Sequence, residues 1–185
     1  MEDRELKQVV RKAARGDRAS AAVLFDTYHP RLYRYALGRL GTPADAEDVA
    51  SETFARILAT LDGFRWRGGG FEAWLFRIAS NLIVDRARTL TREQPTDDDI
   101  DTQEVQVQRL PEDQTLRLET SRELSSLLVG LPGDQREVLL LRFAAGLDTH
   151  ETGAVMGRNA NAVRQLQFRA LQNIRSMSGV EAVTS

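Results

Sequence analysis

The segment from Leu147 to Arg175 carries basic and amide side chains at a spacing suited to reading DNA. Arg164, Gln165, Phe168 and Arg169 fall on one face of a predicted helix. Arginine and glutamine hydrogen-bond to base edges in the major groove, and an aromatic ring can contact a thymine methyl group. The alternative is a solvated basic face on an ordinary helical hairpin, which this segment by itself leaves open.

Two short predicted helices position this face, and a tight break separates them. Asp148 and Glu151 form a D-x-x-E capping pattern, which predicts a helix from about Thr149 to Gly157. Asn159 is a suitable N-cap for the second helix. The apolar stripe of that helix comprises Val163, Leu166, Ala170 and Ile174. A helix-turn-helix has this arrangement and places its second helix in the major groove.

A second basic and aromatic group begins in the loop 64–70. The loop combines Phe64, Arg65, Trp66 and Arg67 with three glycines, a mixture suited to single-stranded nucleic acid. On the helix that follows, the residues predicted to share a polar, basic face are Arg77, Ser80, Asn81 and Arg88. The alternative is that Phe64 and Trp74 belong to the core and the glycines only form a turn. A phosphate-binding P-loop is excluded, because no Gly-Lys-Ser/Thr sequence follows.

An acidic face is predicted on an earlier helix. Thr42 is a suitable N-cap and Pro43 suits the first helical position. The stripe Ala46, Val49, Ala50, Thr53, Phe54, Ile57 and Leu61 faces the core, whereas Asp45, Asp48 and Glu52 gather on the opposite side. Three neighbouring carboxylates repel one another unless a basic partner meets them. Helix-capping acids and a docking surface are equally open interpretations of this segment.

Composition limits the classes of protein. The chain has 185 residues and a formal net charge of −2, and it contains no cysteine. No apolar run is long enough for a membrane span or a signal peptide, so we expect a cytoplasmic protein. Only His29 and His150 could offer imidazole ligands, and they lie far apart without metal-ligand spacing. We therefore expect no enzyme activity, no catalytic residue, no metal and no cofactor.

The apolar spacing is helical throughout, which predicts an all-α protein of two small domains. The first spans residues 1–90 and the second residues 116–178, with a tail at 179–185. Between them, residues 91–115 contain two prolines, many carboxylates and no aromatic residue, which is typical of a flexible acidic linker.

These segments together resemble the extracytoplasmic-function sigma factors, the two-domain alternative initiation subunits of bacterial RNA polymerase. "LFDTYHPRLYRYALGRL" with "DAEDVASETF" resembles the start of sigma domain 2, and "FEAWLFRIASNLIVDRAR" resembles the segment that opens and reads the minus-10 element. "LPGDQREVLLLRF" and the helix-turn-helix resemble sigma domain 4, which reads the minus-35 element. The resemblance implies an alternative sigma factor that binds core polymerase and directs promoter-specific initiation.

The resemblance also implies roles for the candidate residues. Asp45, Asp48 and Glu52 would contact core polymerase, whose β′ and β subunits are the expected partners. The residues expected at the minus-10 element are Trp66, Arg77, Ser80, Asn81 and Arg88. Those expected at the minus-35 element are Arg158, Asn159, Arg164, Gln165, Phe168 and Arg169. Promoter DNA and an anti-sigma factor are further expected partners, and membrane insertion is not expected.

Departures from the family pattern concern the helix-turn-helix. Thr152 and Gly153 stand where the family commonly has Ile and Ala in its first helix, and Asn161 stands where Gly is frequent, which predicts looser packing there. A stand-alone helix-turn-helix regulator is the alternative function, although such a protein is normally a symmetric dimer and would leave the first block without a role.

Overall fold

The computed structural model describes residues 3–66, 68–92 and 126–178, and every regular element in these ranges is helical. The expected all-α fold is therefore confirmed. Residues 93–125, which include most of the predicted linker, lie outside the described residues, as does the 179–185 tail. None of the described helices is both long and apolar enough to cross a membrane.

The first block contains four helices. They are α1 (Asp3–Ala13), α2 (Arg18–Leu40), α3 (Pro43–Thr60) and α4 (Gly70–Arg92), with a short 3₁₀ turn at Leu61–Gly63. Helix α4 thus runs two residues into the segment predicted as linker. Gly41 ends α2 in the left-handed conformation, at φ 77°, and its N–H donates to the Leu37 carbonyl. Thr42 then caps α3, and Pro43 occupies the first turn as predicted.

The second block is smaller and carries the helix-turn-helix. Helix α5 (Gly133–Leu139) continues into a π-helical turn (Leu140–Ala144), followed by α6 (Thr149–Met156) and α7 (Ala160–Met177). The capping box of Asp148 and Glu151 is present, and Asn159 caps α7, as the sequence predicted. A single π-turn inside a helix is uncommon and often marks a functional position. Here it carries Arg142.

The two blocks share a hydrophobic core. Helices α1 to α4 bury the predicted stripe of α3 together with Tyr28, Tyr35 and Phe76. Leu140, Leu141 and Leu147 of the second block belong to the same cluster. A separate small cluster beneath α7 comprises Leu131, Val138, Leu139, Val163 and Ala170. Helix α7 is therefore held by its own block, while that block is held against α2 and α4.

Candidate promoter and polymerase interfaces

Helix α7 presents the predicted base-reading face to solvent. Arg164, Gln165 and Arg169 are exposed, and 61% of Phe168 is accessible. Val163 and Ala170 are fully buried on the opposite side, with Leu166 and Ile174 packed beside them. A helix fixed along one stripe holds the side chains of its other face at defined positions. The structure therefore brings these four predicted residues together on one accessible surface.

Two further predicted minus-35 residues already have partners. The Arg158 guanidinium pairs with Asp134 at the start of α5. The Asn159 side-chain oxygen accepts from the Ala162 N–H at 2.8 Å and so serves as the cap of α7. Their contacts orient the turn before α7, whereas the four predicted residues on α7 itself are exposed.

Gly153 of α6 lies very close to the turn that precedes α7. A Cβ atom at this position would lie 2.5 Å from the Arg158 carbonyl oxygen and 3.6 Å from Val163 Cγ2. Thr152, beside it, is completely buried. The expectation of looser packing here is wrong, because the backbone of the turn fills the space that a larger residue would need.

Arg142 links the π-turn to the segment before α6 and to α7. Its guanidinium donates to the Leu147 carbonyl and, at 3.1 Å, to Gln167 Oε1 on α7. The sequence analysis did not single out Arg142. Its separation from Gln167 along the chain means that no helical spacing relates the two residues.

Replacing Thr152 with Val is expected to stabilise the second block. Thr152 Oγ1 is buried and has no hydrogen-bond partner among the described residues. Removing an unpaired buried hydroxyl while keeping the side-chain shape should raise the free energy of unfolding by about 1 kcal/mol. Urea unfolding followed by circular dichroism measures this. Thr60→Val is the control, because the Thr60 hydroxyl is exposed and already bonded to the Arg56 carbonyl; an equal gain there would contradict the explanation.

On α4 the predicted minus-10 residues divide into two groups. Arg77, Asn81 and Arg88 are exposed, whereas Ser80 is half-buried beside the Tyr35 phenol of α2. Arg77 donates to the Ala154 carbonyl of α6. The second block therefore contacts this face at Arg77.

The 64–70 loop packs as an aromatic cluster. Phe64 contacts the rings of Trp66, Phe71 and Trp74 at centroid distances of 5.1, 5.6 and 4.8 Å. Trp74 is partly buried, which agrees with the interpretation of Phe64 and Trp74 as core residues. Trp66 lies at the edge of the cluster, 39% exposed, with the Lys7 ammonium 5.4 Å from its ring. An exposed aromatic beside a cation is suited to stacking on a base.

The acidic face of α3 has a basic partner within the chain. Arg86 on α4 pairs with Asp45 at 3.0 Å and with Asp48 at 2.9 Å. The hydrogen bond to Asp48 raises the pKa of Arg86 further. Asp48 nevertheless keeps 65% of its side chain accessible, whereas Asp45 keeps 37%. Glu52 pairs with Arg56 on its own helix. Asp48 is thus the most accessible carboxylate of the face.

Two carboxyl groups meet between the blocks, Glu72 of α4 and Glu151 of α6. Burial opposes ionisation of Glu72, but hydrogen bonds from Arg31 and its charge outweigh burial and lower the pKa. Burial, reinforced by the charge of Glu72, raises the pKa of Glu151 to about 7. At neutral pH about half of the Glu151 carboxyl groups are therefore protonated, whereas Glu72 is ionised.

A pH dependence of stability follows from Glu151. Its pKa is raised in the folded protein, so the folded state binds more protons than the unfolded state between about pH 4.5 and 7. Its contribution to stability is full below that window and is lost as pH rises through it. Glu151→Gln keeps a capping side chain and should remove this slope. Thermal unfolding of both proteins from pH 4.5 to 8 tests it, and parallel curves would contradict it.

Comparison with known proteins identifies the class. Residues 24–93 match the family model Sigma-70 region 2, and residues 127–176 match Sigma-70, region 4. The first match covers the acidic face and the α4 face, and the second covers the helix-turn-helix. The two matches define a bacterial sigma factor of the sigma-70 class.

Individual relatives show which group of sigma factors the chain resembles. It is 32% identical over 179 residues to the ECF RNA polymerase sigma factor SigD of Mycobacterium tuberculosis, covering 95% of this chain and 84% of that protein. Identity to the ECF RNA polymerase sigma factor BldN of Streptomyces coelicolor is 36%, over 91% of this chain and 64% of BldN. The solved structure of CnrH in complex with the cytosolic domain of CnrY is 26% identical, with a TM-score of 0.71, covering 94% of this chain and 97% of CnrH.

The chain belongs to the ECF family of RNA polymerase sigma factors. It is an alternative sigma factor that directs transcription initiation, and a stand-alone helix-turn-helix regulator is not favoured.

Proposed function

We propose that this sigma factor binds core RNA polymerase through α3 and reads its promoters with two separate surfaces. The docking surface comprises Asp45, Asp48 and Glu52. The minus-10 surface comprises Trp66, Arg77, Ser80, Asn81 and Arg88. The minus-35 surface is the exposed α7 face, Arg164, Gln165, Phe168 and Arg169, oriented by Arg158 and Asn159. In this proposal residues 1–90 and 116–178 act as the two promoter-reading domains.

The exposed α7 face supports the minus-35 proposal most directly. It combines two guanidinium groups, an amide and an accessible aromatic ring on a helix whose first turn has no acidic residue. A surface of this kind places donors against base edges and repels no phosphate. A phenylalanine that is 61% exposed is not explained by a helix face that contacts only solvent.

The minus-10 proposal depends on capture of single-stranded bases. Extruding bases from a duplex costs a few kcal/mol, which capture offsets only where the sequence fits the binding surface. Trp66 offers a ring for stacking, while Asn81 and Arg88 lie exposed along α4. Melting and recognition would then be one event.

The partners follow from the same proposal. Core polymerase supplies the active site, so the sigma factor itself needs no catalytic residue and no cofactor. Its place of action would be the cytoplasm, where polymerase meets DNA. An anti-sigma protein is a further proposed partner; CnrH, a structural relative, was solved in complex with the cytosolic domain of CnrY.

Run-off transcription tests the proposed function. Purified bacterial core polymerase is incubated with fragmented genomic DNA, with and without this protein, and the 5′ ends of the transcripts are mapped. New starts that share two spaced upstream elements are expected. An absence of new starts, together with tight binding to duplex DNA without polymerase, would assign the chain to the stand-alone regulators instead.

Arg164→Ala is expected to weaken discrimination at the minus-35 element. Loss of a bidentate base contact should cost about 1–3 kcal/mol at one base pair, while other positions keep their preference. Competition among promoter fragments carrying single-base changes measures this. Arg175→Ala removes the same charge near the end of α7 and should leave base preference unchanged. Identical base preferences in the wild type and Arg164→Ala would exclude Arg164 from readout.

A further inference from the structure

Helix α1 carries a row of basic side chains on its exposed face. Its opposite face is buried in the core of the first block through Leu6, Val10 and Ala13. The basic residues recur at i, i+3, i+7 and i+11, a spacing that aligns side chains along a helix. These exposed residues, the α1 basic row, are Arg4, Lys7, Arg11 and Arg15. The last of them lies in the turn directly after α1, where its N–H still donates to the Lys12 carbonyl at 3.0 Å.

Contacts within the chain do not account for the α1 basic row. Of its four members, only Lys7 has an ion pair in the described part of the chain, with Asp3 at 2.6 Å. The helix dipole favours cations in the last turn of α1 but disfavours one in the first turn, where Arg4 lies. The chain as a whole has a formal net charge of −2, so the row is a local excess of positive charge. Such a surface is suited to an anionic partner.

The α1 basic row adjoins the proposed minus-10 surface at Lys7. The Lys7 ammonium lies 5.4 Å from the centre of the Trp66 ring. Trp66 is 39% exposed and contacts Phe64 edge to face, at a centroid distance of 5.1 Å. The ring that is proposed to stack on a base therefore lies beside the row.

The length of the row fits a short run of phosphates. Arg4 and Arg15 are 11 positions apart, which corresponds to about 16 Å along a helix axis. A nucleic-acid strand with stacked bases rises about 3.4 Å per nucleotide, so the row is as long as about five nucleotides. Guanidinium and ammonium groups bind phosphate oxygens without reading the bases.

We propose that the α1 basic row binds the phosphate backbone of the promoter single strand whose bases the minus-10 surface captures. The inference rests on the proposed minus-10 function and adds a sequence-independent contact to it. Trp66, Asn81 and Arg88 select bases, whereas α1 holds the strand where it runs on from Trp66. Helix α1 precedes the residues that match Sigma-70 region 2, which begin at residue 24. The role of α1 is therefore inferred from its own charges and position.

The proposed contact makes strand capture depend on ionic strength. Each phosphate that a protein neutralises on a single strand contributes about 0.7 to the slope of log affinity against log salt, because counterions are released. Removing two cations of the row should therefore make this slope shallower by about 1.4. Base preference should stay as it is, since the lost contacts are to phosphate.

Neutralising two members of the row tests the proposal. Polymerase holoenzyme is assembled with wild type or with the row variant, Arg11→Gln plus Arg15→Gln. The probes are the two single strands of the minus-10 region at the strongest new start mapped with wild type, and the strand that binds more tightly is used. The row variant should bind this strand at least fivefold more weakly than wild type in about 0.1 M salt, with the shallower salt dependence.

A control variant removes the same charge from positions outside the row. Lys12 lies about 100° round α1 from Arg11, and Arg18 belongs to α2. Lys12→Gln plus Arg18→Gln should weaken strand binding less than twofold. Equal losses in the control and the row variant would indicate a general effect of net charge and would overturn the proposal.

Neutral methylphosphonate linkages locate the contact on the strand. A single linkage, moved along the probe, should weaken wild-type binding at two or more adjacent phosphates and should have no effect there on the row variant. Arg11→Lys plus Arg15→Lys keeps both charges and should restore the wild-type profile. Circular dichroism should show the same helix content in all variants, because the substituted side chains are exposed.

Three further results would overturn the proposal. Identical methylphosphonate profiles for wild type and the row variant would exclude a contact between α1 and the strand, while the sigma assignment stands. A row variant that loses affinity for core polymerase, measured by fluorescence anisotropy, but keeps strand binding would place the row in the docking surface instead. A wild type that gives no new starts would overturn the proposed function, and this inference with it.

Discussion

Asp48→Arg should weaken binding to core polymerase by about 2–4 kcal/mol, or roughly 30- to 1000-fold in affinity. Asp48 is the most accessible carboxylate of the proposed docking surface. Reversing its charge removes an attraction and introduces a repulsion towards a basic partner. The fold should remain intact, because Arg86 keeps Asp45 as a partner. Fluorescence anisotropy with labelled protein and core polymerase measures the affinity.

Two control variants distinguish a specific loss of docking from a general effect of charge on the affinity. Asp48→Asn keeps an acceptor for Arg86 and removes one charge, so its loss should be intermediate. Glu5→Arg reverses an exposed acid on α1 and should change the affinity little. If Asp48→Arg assembles with polymerase as wild type does, α3 is not the docking surface.

Gly153→Val is the second change with a large expected effect. Its Cβ would be forced to within 2.5 Å of the Arg158 carbonyl oxygen, which belongs to the backbone of the turn and cannot rotate away. Overpacking of this kind lowers the free energy of unfolding by about 1–3 kcal/mol, and often by more for a branched side chain. It should also displace α7 from its position against α6. We expect lower stability of the second block and weaker minus-35 binding together.

Gly133→Ala provides the comparison within the same block. Apart from its chain neighbours and the backbone of its own helix, no atom lies within 4 Å of the Cβ that it would introduce, so the stability should change by no more than about 0.5 kcal/mol. Gly153→Ala should fall between the two. Urea unfolding of the three variants measures the series, and a valine variant as stable as wild type would contradict the close approach.

Local patterns in the sequence predicted much of the fold. Thr42, Asp148 and Asn159 act as caps where the sequence placed them, because a cap bonds to a backbone N–H only three residues away. The apolar stripe of α3 is buried in full for a similar reason, since helical periodicity alone determines which side chains share a face.

Contacts between distant segments were not predictable in this way. Helical spacing places Arg86 on the side of α4 opposite to Arg77, and the sequence could have indicated this. The pairing of Arg86 with Asp45 and Asp48, however, depends on how α3 and α4 pack. The engagement of Arg77 by Ala154 likewise depends on the packing of two blocks. Candidate residues could be proposed from residue type and spacing, whereas their partners required the structure.

The pairing of Arg86 with two aspartates has a consequence for the ionic-strength dependence of assembly. A docking surface that carries an internal cation holds fewer mobile counterions than three free carboxylates would. Fewer ions are then released when a basic polymerase surface covers it. Assembly should accordingly tolerate moderate salt, with an affinity that declines more gently than the number of acidic residues on α3 suggests.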